Sequence, residues 1–543
     1  MHPSVLIVGA GPAGLSLALL LLRNGISVRI IDKSVEHFVG TRGAGVMPRT
    51  LELYKILGIL PAIERAGESS PIKMKIYTSP EGDGPINEFL MIDHLDPRPE
   101  YHRINPLGIM QDDHQAVLRE VIKTEYGVSV ELATELVSLE QSSDHVVVNL
   151  VKYTNSTECT QFDWVVGTDG ARSTVRKQLS LSFDGDSHAD IIYVIGDIEA
   201  KSVPECFDWK IWGSSSDRTL SLRPYKRNGK YYYYFICGGA DFDVSEIGGN
   251  RDRIVDAMYN VIGKKNIEFG DLVATGLWRS NVRMVDKFND GRVFLGGDAA
   301  HVHSFTGAQG VNTSVQDSFN LAWKLALVQK GLAPRSLLDT YTSERVPVVA
   351  GMLGKTTAYM HQTLSNVANK GEGWKRDWTV RQFGINYRGT SIVLDERQKD
   401  ATETVDNYRS GDDNATHAGD RAPEVPGLTL ASSGQSVSLY DLLDVTSHTL
   451  VIFGGHLAGI LDGMSYPYGT VKNVLVYPAG TRIAEATTTG TACTVIDAEG
   501  YAYKHYKVVE SEGLVVIIRP DGYIGAVLKA ESGVADYFKR VFL

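Results

Sequence analysis

Cysteine is scarce in this chain: Cys159, Cys206, Cys237 and Cys493 are the four in 543 residues, and none falls in a CxxC pair or in metal-ligand spacing. That excludes a disulfide framework and a thiolate-built zinc or iron–sulfur site, and it fits a reducing, cytoplasmic compartment. Positive charge is short as well. With 54 Lys and Arg against 65 Asp and Glu, a net charge of −11, and no basic run longer than a few residues, the chain lacks the concentrated cations that nucleic-acid phosphates demand. The long apolar stretch 5–22 has no cationic region before it, carries turn glycines and a proline, and runs on into an amphipathic strand pattern. This excludes a signal peptide or a membrane anchor, and no membrane partner is expected. His301 and His303 stand close in sequence, but no third ligand is spaced nearby, so no metal is expected. A second GxGxxG is also missing.

What is there is a set of glycine-rich turns, each placed at the end of a β-rich run. Val5–Val8 is a short apolar strand leading into Gly9, Gly11 and Gly14 in GxGxxG spacing. Gly9 permits the tight turn, Gly11 lets backbone approach a pyrophosphate, and Gly14 lets the next helix press on the strand, so that the helix N-terminus faces the phosphates. That helix spans 15–23 and ends at Asn24-Gly25, a good C-cap. A second strand, Val28–Ile31, delivers Asp32, placed to accept ribose hydroxyls about 20 residues after the glycines.

The second turn follows a β-rich run at 162–166 and reads Gly167-Thr168-Asp169-Gly170-Ala171-Arg172-Ser173, with Arg176 beyond. Asp-Gly at a strand end is an ordinary turn; followed by a helix start with two arginines, it suits an extended dinucleotide and a second, transient one. The third segment, 293–317, is a buried strand, Gly297-Asp298, a histidine-bearing loop and glycines that open a helix. Gly310, Val311 and Asn312 at that N-terminus offer backbone N–H groups and a positive dipole end. The helix body reads as amphipathic, with Leu321, Leu325 and Val328 toward the core.

In chain order, GAGPAGL, GTDGARSTVR and GGDAAHVHSFTGAQGVN resemble the three FAD-binding signatures of the single-component flavoprotein aromatic hydroxylases. TRGAGVMPRTLEL, with Arg42, and Gln111 before DDHQAVL sit where members of that family contact the flavin nucleotide and the isoalloxazine. LDTYTSERVP, residues 338–347, resembles the helix after the third motif. Over residues 4–351 the likeness is general; the phenol hydroxylase branch extends it to the C-terminus, where AGDRAP and RPDGYIGAV resemble that branch's thioredoxin-like domain, here without CxxC.

The resemblance implies an α/β fold: a Rossmann-like FAD-binding domain interleaved with a β-sheet substrate domain, plus a C-terminal thioredoxin-like α/β domain. The expected FAD-binding domain is discontinuous, 1–72, 104–182 and 285–350, because all three motifs must converge on one cofactor. Residues 73–103 and 183–284 form the substrate domain, 351–401 a helical connection, 402–422 a polar linker and 423–543 the last domain. Strands are expected at 191–195, 219–222 and 231–237 in the sheet domain, and at 450–454, 474–477 and 514–527 near the C-terminus, the last pair joined at Asp521-Gly522. Alternation in YYYYF puts Tyr231, Tyr233 and Phe235 on one face and Tyr232, Tyr234 and Ile236 on the other.

The cofactor set expected from the resemblance is Gly9, Gly11, Ala13, Gly14, Asp32, Lys33, Arg42, Gln111, Asp169, Gly170, Asp298, Gly310, Val311 and Asn312 around bound FAD, with NADPH or NADH as transient reductant. The implied chemistry is hydroxylation of a phenolic or hydroxybenzoate-type aromatic by dioxygen through a flavin C4a-hydroperoxide, with decarboxylation where the attacked carbon bears a carboxylate. The partners are a small aromatic substrate, dioxygen and a second copy in a homodimer. Pocket candidates are Tyr232, Tyr234 and Phe305. Three positions depart from the family pattern: Phe305 replaces a proline, and Ala44 and Trp278 stand where phenol hydroxylase has its assisting aspartate and substrate-binding tyrosine. No catalytic base carries over, and Arg223 or Arg279 is a candidate partner for a substrate carboxylate. Two other readings stay open: a flavin-dependent halogenase, which would carry a WxWxIP segment where this chain has Trp209-Lys-Ile-Trp212-Gly213, and a flavin- or ligand-binding protein without turnover.

Overall fold

The computed structural model describes residues 3–41, 43–77, 84–213, 217–239, 247, 249–365, 372–397, 406–408, 416–461, 466–482, 492–529 and 531–543. Val5–Val8, wholly apolar and wholly buried, is an inner strand of a five-stranded sheet. It pairs parallel with Val28–Ile31 on one side and with Trp164–Gly167 on the other. Val293–Leu295 adds parallel to Trp164–Gly167, and Asn289–Asp290 closes the edge antiparallel. Strands buried on both faces read as unbroken apolar runs, as Val5–Val8 and Val293–Leu295 do. The parallel order brings the C-terminal ends of three strands side by side, so Gly9, Thr168–Asp169 and Gly297–Asp298 emerge along one edge.

The second sheet has eight strands in the order His301–Val302, Phe269–Met284, Asp184–Ala200, Lys230–Gly238, Thr219–Arg227, Trp209–Gly213, Lys73–Tyr77 and Asn87–Leu90. The strands expected at 191–195, 219–222 and 231–237 are the middles of longer ones. His301–Val302 pairs with the end of Phe269–Met284, so the third motif itself crosses from one sheet to the other. The tyrosine run alternates as its period demands: Tyr233, Phe235 and Cys237 pack with the Arg251–Ile262 helix, while Tyr234 and Ile236, with Tyr232 beside them, join a separate cluster on the opposite face.

The C-terminal sheet, also eight-stranded, has His448–Phe453, Val471–Tyr477, Leu514–Ile518 and Ile524–Leu528 among its members. Its Arg519–Tyr523 turn is fully inside the protein. Arg519 donates to both oxygens of Glu344 (2.6 and 2.8 Å), and Lys324 reaches the same carboxylate at 2.7 Å. This changes the reading of the Gly310–Gln329 helix. Leu321 and Leu325 are buried as expected, but so are Gln316, Asp317, Asn320 and Lys324. The helix is covered on all sides because the 339–365 helix, Gln382 and the C-terminal turn together take the place of solvent, and ion pairs and hydrogen bonds satisfy the polar face.

Candidate functional site

The three motif loops are locked together by backbone contact. Gly9 has φ +104°, and a Cβ there would lie 2.4 Å from the Thr168 carbonyl oxygen; on Gly14 a Cβ would lie 2.1 Å from the Gly9 carbonyl oxygen. The Thr168 hydroxyl donates to that same Gly9 carbonyl at 2.7 Å. Gly11 differs: a Cβ added there would meet nothing within 4 Å. It opens the Pro12–Arg23 helix without any side-chain cap, leaving a helix N-terminus facing open space, with Ala13 buried behind it. Asp32 is fixed at the end of its strand, accepting the Ala10 N–H at 2.9 Å through Oδ2 and the Ser34 N–H at 2.9 Å through Oδ1; Lys33 beside it is exposed. Arg42 lies outside the described residues.

Asp169 caps the short Thr174–Gln178 helix, accepting from the Ser173 hydroxyl (2.5 Å) and the Thr174 N–H (2.7 Å). Burial pushes its pKa above the usual carboxylate value. Gly170 follows in a left-handed turn, φ +81°. Arg176 bridges motifs, donating to the Ala299 carbonyl at 2.9 Å. Asp298 is exposed at the shared edge, and behind it the Gly297 N–H donates to Asp317 Oδ2 at 3.0 Å.

At the start of the Gly310–Gln329 helix, Gln309 supplies no side-chain cap, so the first-turn N–H groups at Gly310, Val311 and Asn312 keep their positive field. Asn312 turns its side chain outward from the helix instead, accepting the Met47 N–H at 2.8 Å. Sequence reasoning missed the scaffold under this loop. Tyr408 donates to Gln309 Oε1 (2.7 Å), Gln309 donates to the Val380 carbonyl (3.1 Å), Arg376 donates to the Thr306 carbonyl (2.6 Å) and Ser304 to the Thr356 carbonyl (2.9 Å). These partners are 52 to 99 residues apart, a separation that no local pattern encodes. The Phe305 side chain lies outside the described residues.

Facing this edge is the inner surface of the eight-stranded sheet. Tyr193, Tyr225, Tyr234 and Ile236 cluster with Met110, and Ala44, Trp209, Tyr232 and Trp278 pack against them. Tyr232 and Tyr234 are thus brought beside Ala44 and Met110, next to Gln111, which begins the Gln111–Tyr126 helix. Arg223 stands opposite Tyr234 in the ladder, donates to the Ala44 carbonyl at 2.6 Å and lies 5.7 Å from the Trp209 ring centroid. Among the described residues no carboxylate reaches it in an ion pair. Arg279 sits three strands away, on Phe269–Met284, opposite residue 192. The backbone flanking Arg42 is held from two sides: the Gly40 N–H donates to Asp112 (2.8 Å) and the Thr41 N–H to Asp197 (2.7 Å).

These features fit FAD. An elongated dianion needs an uncapped helix start with open space before it, which Gly11 provides, and a reduced isoalloxazine needs donors at its pyrimidine edge, which the Gly310 helix start provides. Among the described residues no group of three His, Cys, Asp or Glu is arranged to hold a metal, and no helix is long and apolar enough to cross a membrane.

Comparison with known proteins agrees. The FAD binding domain family matches residues 2–356, and the phenol hydroxylase C-terminal dimerisation domain matches 484–543. A flavin-dependent monooxygenase of Mycobacteroides abscessus is 35% identical over 542 residues, 99% of this chain and 100% of that protein. Pentachlorophenol 4-monooxygenase of Sphingobium chlorophenolicum is 27% identical, over 98% and 94% of the two chains. Among solved structures, the flavin-dependent monooxygenase PieE with FAD and substrate superposes with a TM-score of 0.80 at 21% identity, over 99% of both chains. Aklavinone-11 hydroxylase with FAD and aklavinone gives 0.78 at 23%, over 99% of this chain and 98% of that one. At such identities the structures attest the fold, an FAD-binding α/β unit with an interleaved sheet and a C-terminal α/β domain. The chain belongs to the FAD-dependent monooxygenases, in the branch that carries the phenol hydroxylase C-terminal domain.

Proposed function

We propose that the protein hydroxylates a phenolic or hydroxybenzoate-type aromatic ring, with NADH or NADPH as reductant and dioxygen as oxidant. The observation that carries this reading is the aromatic sheet face of Tyr193, Tyr225, Tyr232, Tyr234 and Trp278, which meets the FAD-site edge at Ala44 and Met110 and holds Arg223, paired with no carboxylate among the described residues. Bound FAD supplies the redox chemistry, activating dioxygen at its C4a position once reduced. The chain's own residues hold it. Gly9, Gly11, Ala13 and Gly14 admit the pyrophosphate, Asp32 and Lys33 take the ribose end, and Arg42, Gln111 and Asp298 take the ribityl and ring region. Asp169 and Gly170 shape the second turn. The Gly310, Val311 and Asn312 N–H groups would stabilise the edge of the ring system that becomes negative on reduction.

On the substrate side, stacked phenols and indoles exclude water and present flat apolar surface to a flat ring. Arg223 pairs with a phenolate or carboxylate, and where the attacked carbon bears that carboxylate, hydroxylation is accompanied by its loss as carbon dioxide. The relatives named for pentachlorophenol and 6-methylpretetramide support an aromatic substrate. The dimerisation-domain match supports a homodimer, and the chain divides in this reading into 1–72, 104–182 and 285–350 for FAD, 73–103 and 183–284 for substrate, and 423–543 at the C-terminus.

Anaerobic stopped-flow reduction of the FAD-loaded protein by NADPH and NADH, with and without a panel of phenols and hydroxybenzoates, tests the reading. Reduction accelerated by particular aromatics is the expected result. Bound flavin whose reduction no aromatic and no nucleotide alters would put a binding protein without turnover in its place.

A further inference from the structure

Ring hydroxylation is fastest on a phenolate, and the position where phenol hydroxylase has its assisting aspartate is Ala44 here. Among the described residues, the fully buried carboxylate on the inner face of the eight-stranded sheet is Asp197, with 0% exposure. It stands opposite Tyr234 on one neighbouring strand and Ala274 on the other. Its Oδ2 accepts the Thr41 N–H at 2.7 Å and its Oδ1 accepts the Tyr225 hydroxyl at 3.0 Å. Tyr225 is itself part of the aromatic face, stacked on Tyr232 with centroids 5.4 Å apart and in one cluster with Met110, Tyr193 and Tyr234.

No described cation pairs with Asp197. The nearby guanidinium of Arg227 is taken by Asp112 (2.5 and 2.9 Å) and Asp113 (2.8 Å), and Arg223 is turned to the Ala44 carbonyl. Among the described residues, the charged and titratable groups around Asp197 are therefore Asp112 and Arg227 beyond the Gly40–Thr41 backbone, Tyr225 at its Oδ1, and Tyr234 across the ladder. A carboxylate so placed is an expensive way to hold one backbone N–H, since a neutral amide would serve. It is well placed to receive a proton. Burial, with Asp112 adding to it, lifts its pKa to about 6, near the working pH that favours a general base.

We propose that Tyr225 and Asp197 form the proton relay that ionises the substrate hydroxyl. The substrate O–H bond breaks toward Tyr225 Oη while the Tyr225 proton moves to Asp197 Oδ1, leaving a phenolate against the aromatic face and a neutral carboxylic acid behind it. After oxygen transfer the proton returns by the same path to the product oxygen, so no proton is gained or lost overall. The relay rests on the phenolic reading of the substrate.

The test uses the FAD-loaded full chain, wild type, Asp197→Asn and Tyr225→Phe, with two probes: phenol, neutral at assay pH, and pentachlorophenol, already ionised. FAD binding is measured for each variant, and Tyr225→Phe keeps the proposal testable should Asp197→Asn fail to fold. The expected result is a loss in oxygen-transfer rate on the order of 100-fold with phenol, the usual scale of general-base assistance, with the pentachlorophenol rate little changed and the acid limb near pH 6 absent from the phenol profile. Equal losses on both probes, with wild type active on both, would overturn the relay and leave Asp197 a structural pin. Wild type that binds but hydroxylates neither would overturn the phenolic reading itself, and the relay with it.

Discussion

Asp317 and Gly297 are joined by a buried hydrogen bond, the Gly297 N–H donating to Oδ2 at 3.0 Å. The same oxygen lies 2.7 Å from His301 Nε2, and Oδ1 accepts from Arg345 Nε at 2.8 Å. One carboxylate thus holds the turn that presents Asp298, the histidine that begins the crossing into the second sheet, and the long Asp339–Ser365 helix. Burial alone would raise its pKa, but Arg345 and His301 outweigh burial and hold it below the usual carboxylate value.

From this follows an acid sensitivity. A carboxyl with a folded pKa below its unfolded value, about 3.9, stabilises the fold fully above that value and loses the contribution as pH falls through the folded pKa. FAD release from the wild type is therefore expected to steepen below about pH 4, and Asp317→Asn to lose that component. Asp317→Ala leaves Arg345 buried and unpaired, at a cost of about 3–5 kcal/mol. Flavin fluorescence followed against pH and temperature checks both; an Asp317→Ala protein melting with the wild type would show that the network holds nothing.

The glycines of the first motif separate folding from binding. Gly14→Ala puts a methyl 2.1 Å from a carbonyl oxygen, a backbone clash that no side-chain adjustment relieves, so the variant is expected to be insoluble or strongly destabilised. Gly11→Val meets open space and is expected to fold with near-wild-type far-UV circular dichroism yet lose FAD. A folded Gly14→Ala with bound flavin would contradict the geometry.

Much of this arrangement is legible in the sequence because its signals are local. VLIV before GAGPAG, the Asp-Gly turns and the period-2 tyrosines each state their own conformation within a few residues. The ion pairs are not legible. Asp317 finds Arg345 28 residues on and Glu344 finds Arg519 175 residues on, and a polar residue on a helix says nothing of whether water or a partner covers it. Gln316, Asp317, Asn320 and Lys324 are covered by partners far along the chain: Asp317 by His301 and Arg345, Gln316 by Gln382, and Asn320 and Lys324 by Glu344, which Arg519 also holds.

Register makes a prediction about adjacent tyrosines. Tyr233 is 7% exposed and packs edge-on against Phe269, centroids 5.9 Å apart, so Tyr233→Ala is expected to cost about 3–5 kcal/mol of stability with little change in KM for an aromatic. Tyr232→Ala, on the opposite face and only partly buried, is expected to spare stability and raise KM. Thermal melts and steady-state NAD(P)H oxidation on the pair decide it; the reverse pattern would place the substrate on the other face of the sheet.

The C-terminal domain is expected to unfold together with the FAD-binding domain. Arg519, Asp521, Glu344 and Lys324 are all buried, and Arg519 is shared between Glu344 at 2.6 Å and the Asp521 carboxylate. Trp323 on the Gly310–Gln329 helix donates to Asp521 at 3.2 Å. Separating the domains would leave Glu344 and Lys324 facing each other without Arg519, and would open the buried side of the Gly310–Gln329 helix, whose first turn is proposed to meet the flavin. Arg519→Ala is expected to destabilise by about 3–5 kcal/mol and to weaken FAD binding, although no part of Arg519 lies at the motif edge. Tm read by flavin release and by circular dichroism should fall together in this variant. Two separate transitions, with flavin retained through the first, would mean that the last domain is only appended to the site and does not support it.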